Sequence, residues 1–163
     1  MTLIYSVQKK EAICCFTGHR CIQRADIETL GSRLDEKIQQ LIEEKNIRTF
    51  IAGGAIGFDM LASVYVMERI VRGEALRLEL ALPFEGHDQK WSSTDRHYLQ
   101  RIMHIASAVY LISDQYKPEV YSLRNAFMVE QSQICIAYHR YRRSGTGQTI
   151  RYAQSKPIPI IEL

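Results

Sequence analysis

The sequence predicts an α/β domain, a Rossmann-like three-layer sandwich built around a mainly parallel sheet of about six strands. Three observations predict it. Short apolar runs alternate with segments of helical periodicity, the pattern of strands joined by crossover helices. Most of those runs are apolar at nearly every residue, as strands covered on both faces require. Glycine-bearing and polar turn segments fall just after the runs, where open α/β sheets bind their ligands.

Taken in order, strands are predicted over residues 12–17, 48–52, 77–82, 108–112, 133–138 and 158–161. Between the first two, Ile27, Leu30, Leu34, Ile38, Leu41 and Ile42 repeat with the spacing of one helical face, predicting a helix over 26–44. Leu61, Ala62, Tyr65, Val66 and Ile70 predict a second over 58–71. A third starts at Ser92, where Ser92 and Asp95 have the spacing of a capping box, and continues through Tyr98, Leu99, Ile102 and Met103. Pro118 suits the first turn of a fourth, which carries Val120, Leu123, Phe127 and Met128 inward. The stretch 141–150 reads as a loop or a short helix.

A length of 163 residues fits one domain, and neither a repeat nor a low-complexity tract divides it. With 46% hydrophobic and 24% charged residues, the composition is that of a globular protein. A formal charge of +3 is too small to mark a nucleic-acid protein by itself, because that signal is a clustered surplus of Lys and Arg. No apolar run reaches the roughly 18 residues of a membrane span, and the first residues lack a signal-peptide pattern; a cytoplasmic location is expected. Of the four cysteines, Cys14, Cys15 and Cys135 sit in apolar runs and Cys21 in a loop. They read as free thiols, and neither a metal nor a cofactor is expected.

The chemistry clusters in the loops. Thr17-Gly18-His19-Arg20 follows the first strand with a hydroxyl, a flexible glycine, an imidazole and a guanidinium suited to an anion. Gly53-Gly54-Ala55-Ile56-Gly57-Phe58-Asp59 follows the second and leads into a helix, whose N-terminus offers free N–H donors to phosphate. It matches neither the dinucleotide fingerprint nor a P-loop. Asp59 either favours the helix start or bonds a ligand hydroxyl. Pro83-Phe84-Glu85-Gly86-His87, with Trp91 and Asp95-Arg96 beyond, sets aromatic rings beside a carboxylate, for a base or ribose or for packing alone. Arg124-Asn125 lies on the fourth helix. Ser144-Gly145-Thr146-Gly147-Gln148-Thr149 opens the last, again with amides and hydroxyls for an anion.

Together these segments resemble the YpsA-like family of the SLOG superfamily, which groups the DNA-processing protein DprA (Smf) with the LOG phosphoribohydrolases. The resemblance covers nearly the whole chain, and rests on residues 15–20, 53–59, 81–86, Lys90-Trp91, 124–129 and Gly145-Thr146-Gly147 in the family's order. It implies a Rossmann-like fold and a nucleotide or nucleotide-derived ligand at those positions, and supplies no reaction. LOG enzymes carry Pro-Gly-Gly-x-Gly-Thr-x-x-Glu with a catalytic glutamate; here the stretch from Ser144 ends in Ile150-Arg151 without it. DprA resembles this chain at residues 54–59 and Arg124-Asn125 and binds single-stranded DNA, for which Arg140, Tyr141, Arg142 and Arg143 form a candidate basic patch.

The expected ligand site is therefore Thr17, Gly18, His19, Arg20, Gly53, Gly54, Gly57, Asp59, Pro83, Phe84, Glu85, Trp91, Arg124, Asn125, Gly145, Thr146 and Gly147. The leading expectation is a nucleotide-binding, sensor-like protein. Its alternatives are a nucleotide N-glycosidic hydrolase, with Asp59 or Glu85 as the catalytic carboxylate, and a DprA-like single-stranded DNA scaffold. Superfamily relatives commonly dimerise, so a homodimer is a further expectation.

Overall fold

The computed structural model describes residues 11–140 and 145–163, and of 145 and 146 the backbone only. Among these residues six strands and five α-helices alternate: β1 (Ile13–Gly18), α1 (Ile27–Lys45), β2 (Thr49–Ala52), α2 (Phe58–Val71), β3 (Arg77–Phe84), α3 (Ser93–Ile105), β4 (Ala108–Ser113), α4 (Val120–Gln131), β5 (Ile134–Tyr138), α5 (Gly145–Gln154) and β6 (Ile160–Glu162). The sheet order is β4-β3-β2-β1-β5-β6 and every pairing is parallel. The chain steps outward from β1 to β4, then crosses to the other side of β1 for β5 and β6. The switch point of this Rossmann-like α/β sheet lies between β1 and β5.

Two apolar layers follow from alternate residues of the strands. Cys14 and Phe16 of β1, Phe50 of β2 and Leu78, Leu80 and Leu82 of β3 bury themselves under α1, α2 and α3. Cys15, Ile51, Ala81 and Cys135 face Met128 and Val129 of α4 and Ala153 of α5. Both faces are thus covered, which is why these strands read as continuous apolar runs. The stacked rings of Phe16 and Phe50, with centroids 5.8 Å apart, knit β1 to β2 at the base of the site.

Local signals set most boundaries. Ser92 Oγ accepts the Asp95 N–H at 3.1 Å and donates to the Asp95 carboxylate at 2.8 Å, the expected cap of α3. Helix α1 ends at Asn46, whose φ of 53° is the left-handed stop favoured by Asn. β3 runs two residues past its predicted end, through Pro83. Its neighbour β2 stops at Ala52, opposite Leu80, so the missing Pro83 N–H breaks no bond on that side. At the other edge, Pro157 and Pro159 delay β6 to Ile160. The ambiguous stretch around Gly145 is helical from Gly145 onward. No helix among the described residues is long and apolar enough to cross a membrane.

Candidate functional site

A cavity of about 250 Å³ opens at the carboxyl end of β1, beside the switch point. Its walls are the end of β1 and the loop after it (Phe16, Thr17, Gly18, His19, Arg20), the start of α2 (Ala55, Asp59) and one face of α4 (Tyr121, Arg124, Asn125, Met128). Three sequence segments thus meet there, the first and the last about a hundred residues apart.

The glycine turn before α2 is held from inside. Asp59 is buried, its Oδ1 accepting the Gly53 N–H and its Oδ2 the Ala55 N–H, each at 2.9 Å. These amides, which sequence reasoning assigns to a phosphate, are already bonded to a carboxylate. Burial pushes the Asp59 carboxyl above its ordinary pKa, against the opposing pull of Arg124 and the loop amides. Another backbone donor of the loop is used too, because the Phe58 N–H bonds the His19 carbonyl at 3.0 Å.

Arg124 is 7% exposed. Its Nη1 donates to the Gly53 carbonyl and its Nε to the Asn125 Oδ1 at 2.8 Å. Asn125 therefore orients the guanidinium, and Gly53 is gripped at both its N–H and its carbonyl. Burial lowers the Arg124 pKa; Asp59 pulls it up and the Arg20 charge pulls it down. Arg20 is exposed at the mouth. Its guanidinium lies 5.2 Å and that of Arg124 5.8 Å from the centroid of the Tyr121 ring, within cation–π range. Two cations and one buried carboxylate give the cavity a basic character suited to an anion.

Close packing, more than ligand approach, accounts for the glycines here. A Cβ on Gly53 would meet Arg124 Nη1 at 2.6 Å, and one on Gly18 would meet the Phe58 side chain at 2.3 Å. Gly57 has φ of 84° and would drive a Cβ to 2.3 Å from the Arg20 carbonyl, so it brings the β1 loop against α2. Gly54 is buried behind the turn, and its carbonyl meets His87 Nε2 at 2.9 Å.

The loop after β5 closes the switch point. The Arg140 N–H donates to His19 Nε2 at 2.6 Å, and the Arg140 guanidinium pairs with Asp26 at 2.9 Å. Burial lowers the His19 pKa, and the nearby charges of His139 and Arg140 lower it further.

The expected residues thus divide. Thr17, Gly18, His19, Arg20, Asp59, Arg124 and Asn125 share the cavity wall, with Gly53, Gly54 and Gly57 packed behind or beside it. Phe84 does not line the cavity, but its ring is edge-on to Tyr121, which does, at 6.3 Å, and to Tyr116 at 5.7 Å. Pro83 is buried in β3, Glu85 is exposed outside the cavity, and Trp91 packs on the core and edge-on to His87 at 5.2 Å. Gly147 is buried in the first turn of α5; Tyr141, Arg142, Arg143, Ser144 and the Thr146 side chain lie outside the described residues. Tyr121 escaped sequence reasoning, although it precedes Arg124 by three residues, the spacing that puts two side chains on one helical face. Among the described residues, no group of three His, Cys, Asp or Glu could hold a metal.

Comparison with known proteins agrees with this architecture. The chain is 27% identical over 139 residues to the SPbeta prophage-derived protein YoqJ of Bacillus subtilis, covering 77% of this chain and 80% of that one. It is 25% identical over 126 residues to a UPF0398 protein of Bacillus cereus, covering 76% and 68%. Among solved structures it superposes on DNA processing protein A from Streptococcus pneumoniae with a TM-score of 0.67 and 15% identity, covering 94% of this chain and 50% of that one. It also superposes on DNA processing protein A from Helicobacter pylori, a protein described for its single-stranded DNA binding mode, with a TM-score of 0.68 and 17% identity, covering 94% and 65%. This chain therefore spans half to two thirds of those two proteins, and identities this low carry the fold alone. The profile of the YspA SLOG family matches residues 14–156, and the chain belongs to that family.

Proposed function

We propose that the cavity at the end of β1 binds the phosphate of a nucleotide or nucleotide-derived molecule, and that the protein acts as a binding or sensor module. One observation carries the reading: Arg20 and Arg124 both converge on Tyr121 at the mouth and wall of one cavity, and Asp59, the carboxylate in its described lining, is engaged by backbone amides. Two guanidiniums so close repel one another, and an anion between them relieves that repulsion. The volume of about 250 Å³ is below the roughly 300–1,000 Å³ of pockets for drug-sized ligands, so it suits a phosphate with its sugar. The base then lies beyond Tyr121, toward the rings of Phe84 and Tyr116.

Hydrolysis of the glycosidic bond finds less support. A carboxylate that stabilises a sugar cation needs free lone pairs directed at the sugar, whereas Asp59 spends both oxygens on the glycine turn and Glu85 stands outside the cavity. Single-stranded DNA is the second reading, favoured by the fold shared with the Helicobacter protein. Against it, Arg140, first of the basic run, is engaged by Asp26.

The test is a calorimetric titration with inorganic phosphate, nucleoside mono- and diphosphates, an ADP-ribose-type compound and a short single strand of DNA. A nucleotide should bind, and Arg20→Ala should weaken it about 10- to 100-fold, the worth of one charge-assisted contact. Because Arg20 is exposed, the melting temperature without ligand should stay unchanged. Absence of heat with every phosphate compound, or binding of DNA alone, would overturn the reading.

A further inference from the structure

The two edges of the sheet are built differently. β6 is three residues long, follows Pro157 and Pro159, and ends in Glu162, all features that discourage a further strand. β4 is six residues of Ala-Val-Tyr-Leu-Ile-Ser without a charge or a proline, and its outer side meets no strand among the described residues. Val109 is 43% and Leu111 50% exposed, on the face shared with Leu80 and Leu82. Tyr110, also exposed, points to the opposite face and touches Phe127 of α4, and Leu123 stands exposed one turn before Phe127. An uncharged edge flanked by exposed apolar groups is a template for strand addition.

We infer that β4 pairs antiparallel with β4 of a second copy of this chain, fusing two sheets of six strands into one of twelve. A two-fold axis normal to the sheet keeps each face with its counterpart, so opposed residues must share a face. Centred on Tyr110, it sets Val109 against Leu111 of the other copy, Ala108 against Ile112, and Tyr110 against itself. Every opposed pair of this stretch is then apolar or aromatic. The ends are complementary as well. Exposed Arg101 and His104 close α3 just before β4, and the exposed stretch after it holds Asp114, Lys117 and Glu119, one negative charge in excess, so antiparallel pairing brings ends of opposite net sign together.

The experiment is mass measurement by light scattering on the full chain and two double variants. The natural chain should run at twice 18.9 kDa. V109K/L111K should run as a folded monomer, since lysines then oppose lysines. V109K/L111E should return to the dimer, because each lysine then faces a glutamate; an axis through Leu111 would instead oppose Glu to Glu. Should the lysine variant fail to fold, Tyr110→Cys with the exposed Cys21→Ser decides, because residues opposed at about 4.5–5.5 Å lie within disulfide range. A cross-linked dimer on oxidation supports the pairing, and its absence refutes it. A monomeric natural chain, a dimer that survives V109K/L111K, or a dimer that appears only after residues 1–10 are removed would each overturn the inference.

Discussion

Asp59 and Arg124 hold the same residue from opposite sides: the Asp59 carboxylate accepts the N–H of Gly53 while the Arg124 guanidinium donates to its carbonyl. The two side chains come from α2 and α4, on opposite faces of the sheet, so Gly53 is where the two halves of the fold are tied together at the cavity. Each charge reduces the cost of burying the other without a direct ion pair.

Asp59→Asn should break this arrangement. The amide has one acceptor where the turn presents two N–H donors, so one of Gly53 and Ala55 faces an NH₂ group, and Arg124 loses its counter-charge. Loss of one partner of a buried charge network costs about 3–5 kcal/mol, to be read as a lower midpoint in urea unfolding. The pH dependence has a definite sign. Because the folded carboxyl titrates above 3.8, its contribution is fully present below the unfolded pKa and is lost as pH rises through the folded one. At neutral pH the loop amides and Arg124 therefore offset only part of the cost of burying the ionised group, and an unchanged midpoint in the Asn variant would contradict their role.

Gly53→Ala separates packing from binding. Its Cβ would lie 2.6 Å from Arg124 Nη1, and the guanidinium must shift from the cavity wall. Overpacking of this kind costs about 1–3 kcal/mol, a loss of melting temperature without loss of fold. The larger effect should be on ligand, with nucleotide affinity falling as far as in an Arg124→Met variant. Affinity retained in Gly53→Ala would mean that Arg124 does not contact the ligand.

Two glycines with positive φ should respond unequally to alanine. Gly73, at 96°, has nothing within 4 Å of its would-be Cβ, so only backbone strain is added, about 1–2 kcal/mol. Gly57, at 84°, adds a collision with the Arg20 and His19 carbonyls, which are backbone atoms and cannot step aside. Its penalty should exceed that of Gly73→Ala by at least 1 kcal/mol, about the lower bound for overpacking. Equal melting temperatures for the two variants would show that the β1 loop yields freely.

Much of this was legible in the sequence, and the reasons differ by element. The central strands announced themselves because both faces are covered, and α1 because its apolar stripe repeats over five turns. Local cap chemistry placed the start of α3 at Ser92 and Asp95. The loops were found as loops, but which groups within them meet the cavity depends on contacts that no local pattern encodes. Asp59 reads equally as a helix start or a ligand contact until Gly53 is seen to donate to it. Glu85 and Trp91 follow β3 just as Arg20 follows β1, yet β3 lies two strands from the switch point, and Trp91 turns onto His87 and the core. Tyr121 became meaningful only once Arg20, a hundred residues earlier, stood over its ring.

His19 should make the closure of the switch point sensitive to acid. Its Nε2 accepts the Arg140 N–H and so carries no proton, and His139 and Arg140 crowd positive charge around it. Burial first, and these charges second, hold the folded pKa below the ordinary 6.5. Between that lowered value and 6.5 the unfolded chain binds more protons than the folded one, so stability falls as pH drops through this window and levels off below it. Protonation there also removes the acceptor for Arg140, so the β5 loop loses its tie to β1 while the Asp26 ion pair remains. His19→Gln can accept the same N–H through its amide oxygen but does not titrate. Urea unfolding from pH 7.5 to 5 should show the slope in the natural chain and a weaker one in the variant. Equal slopes would leave His19 with a packing role alone.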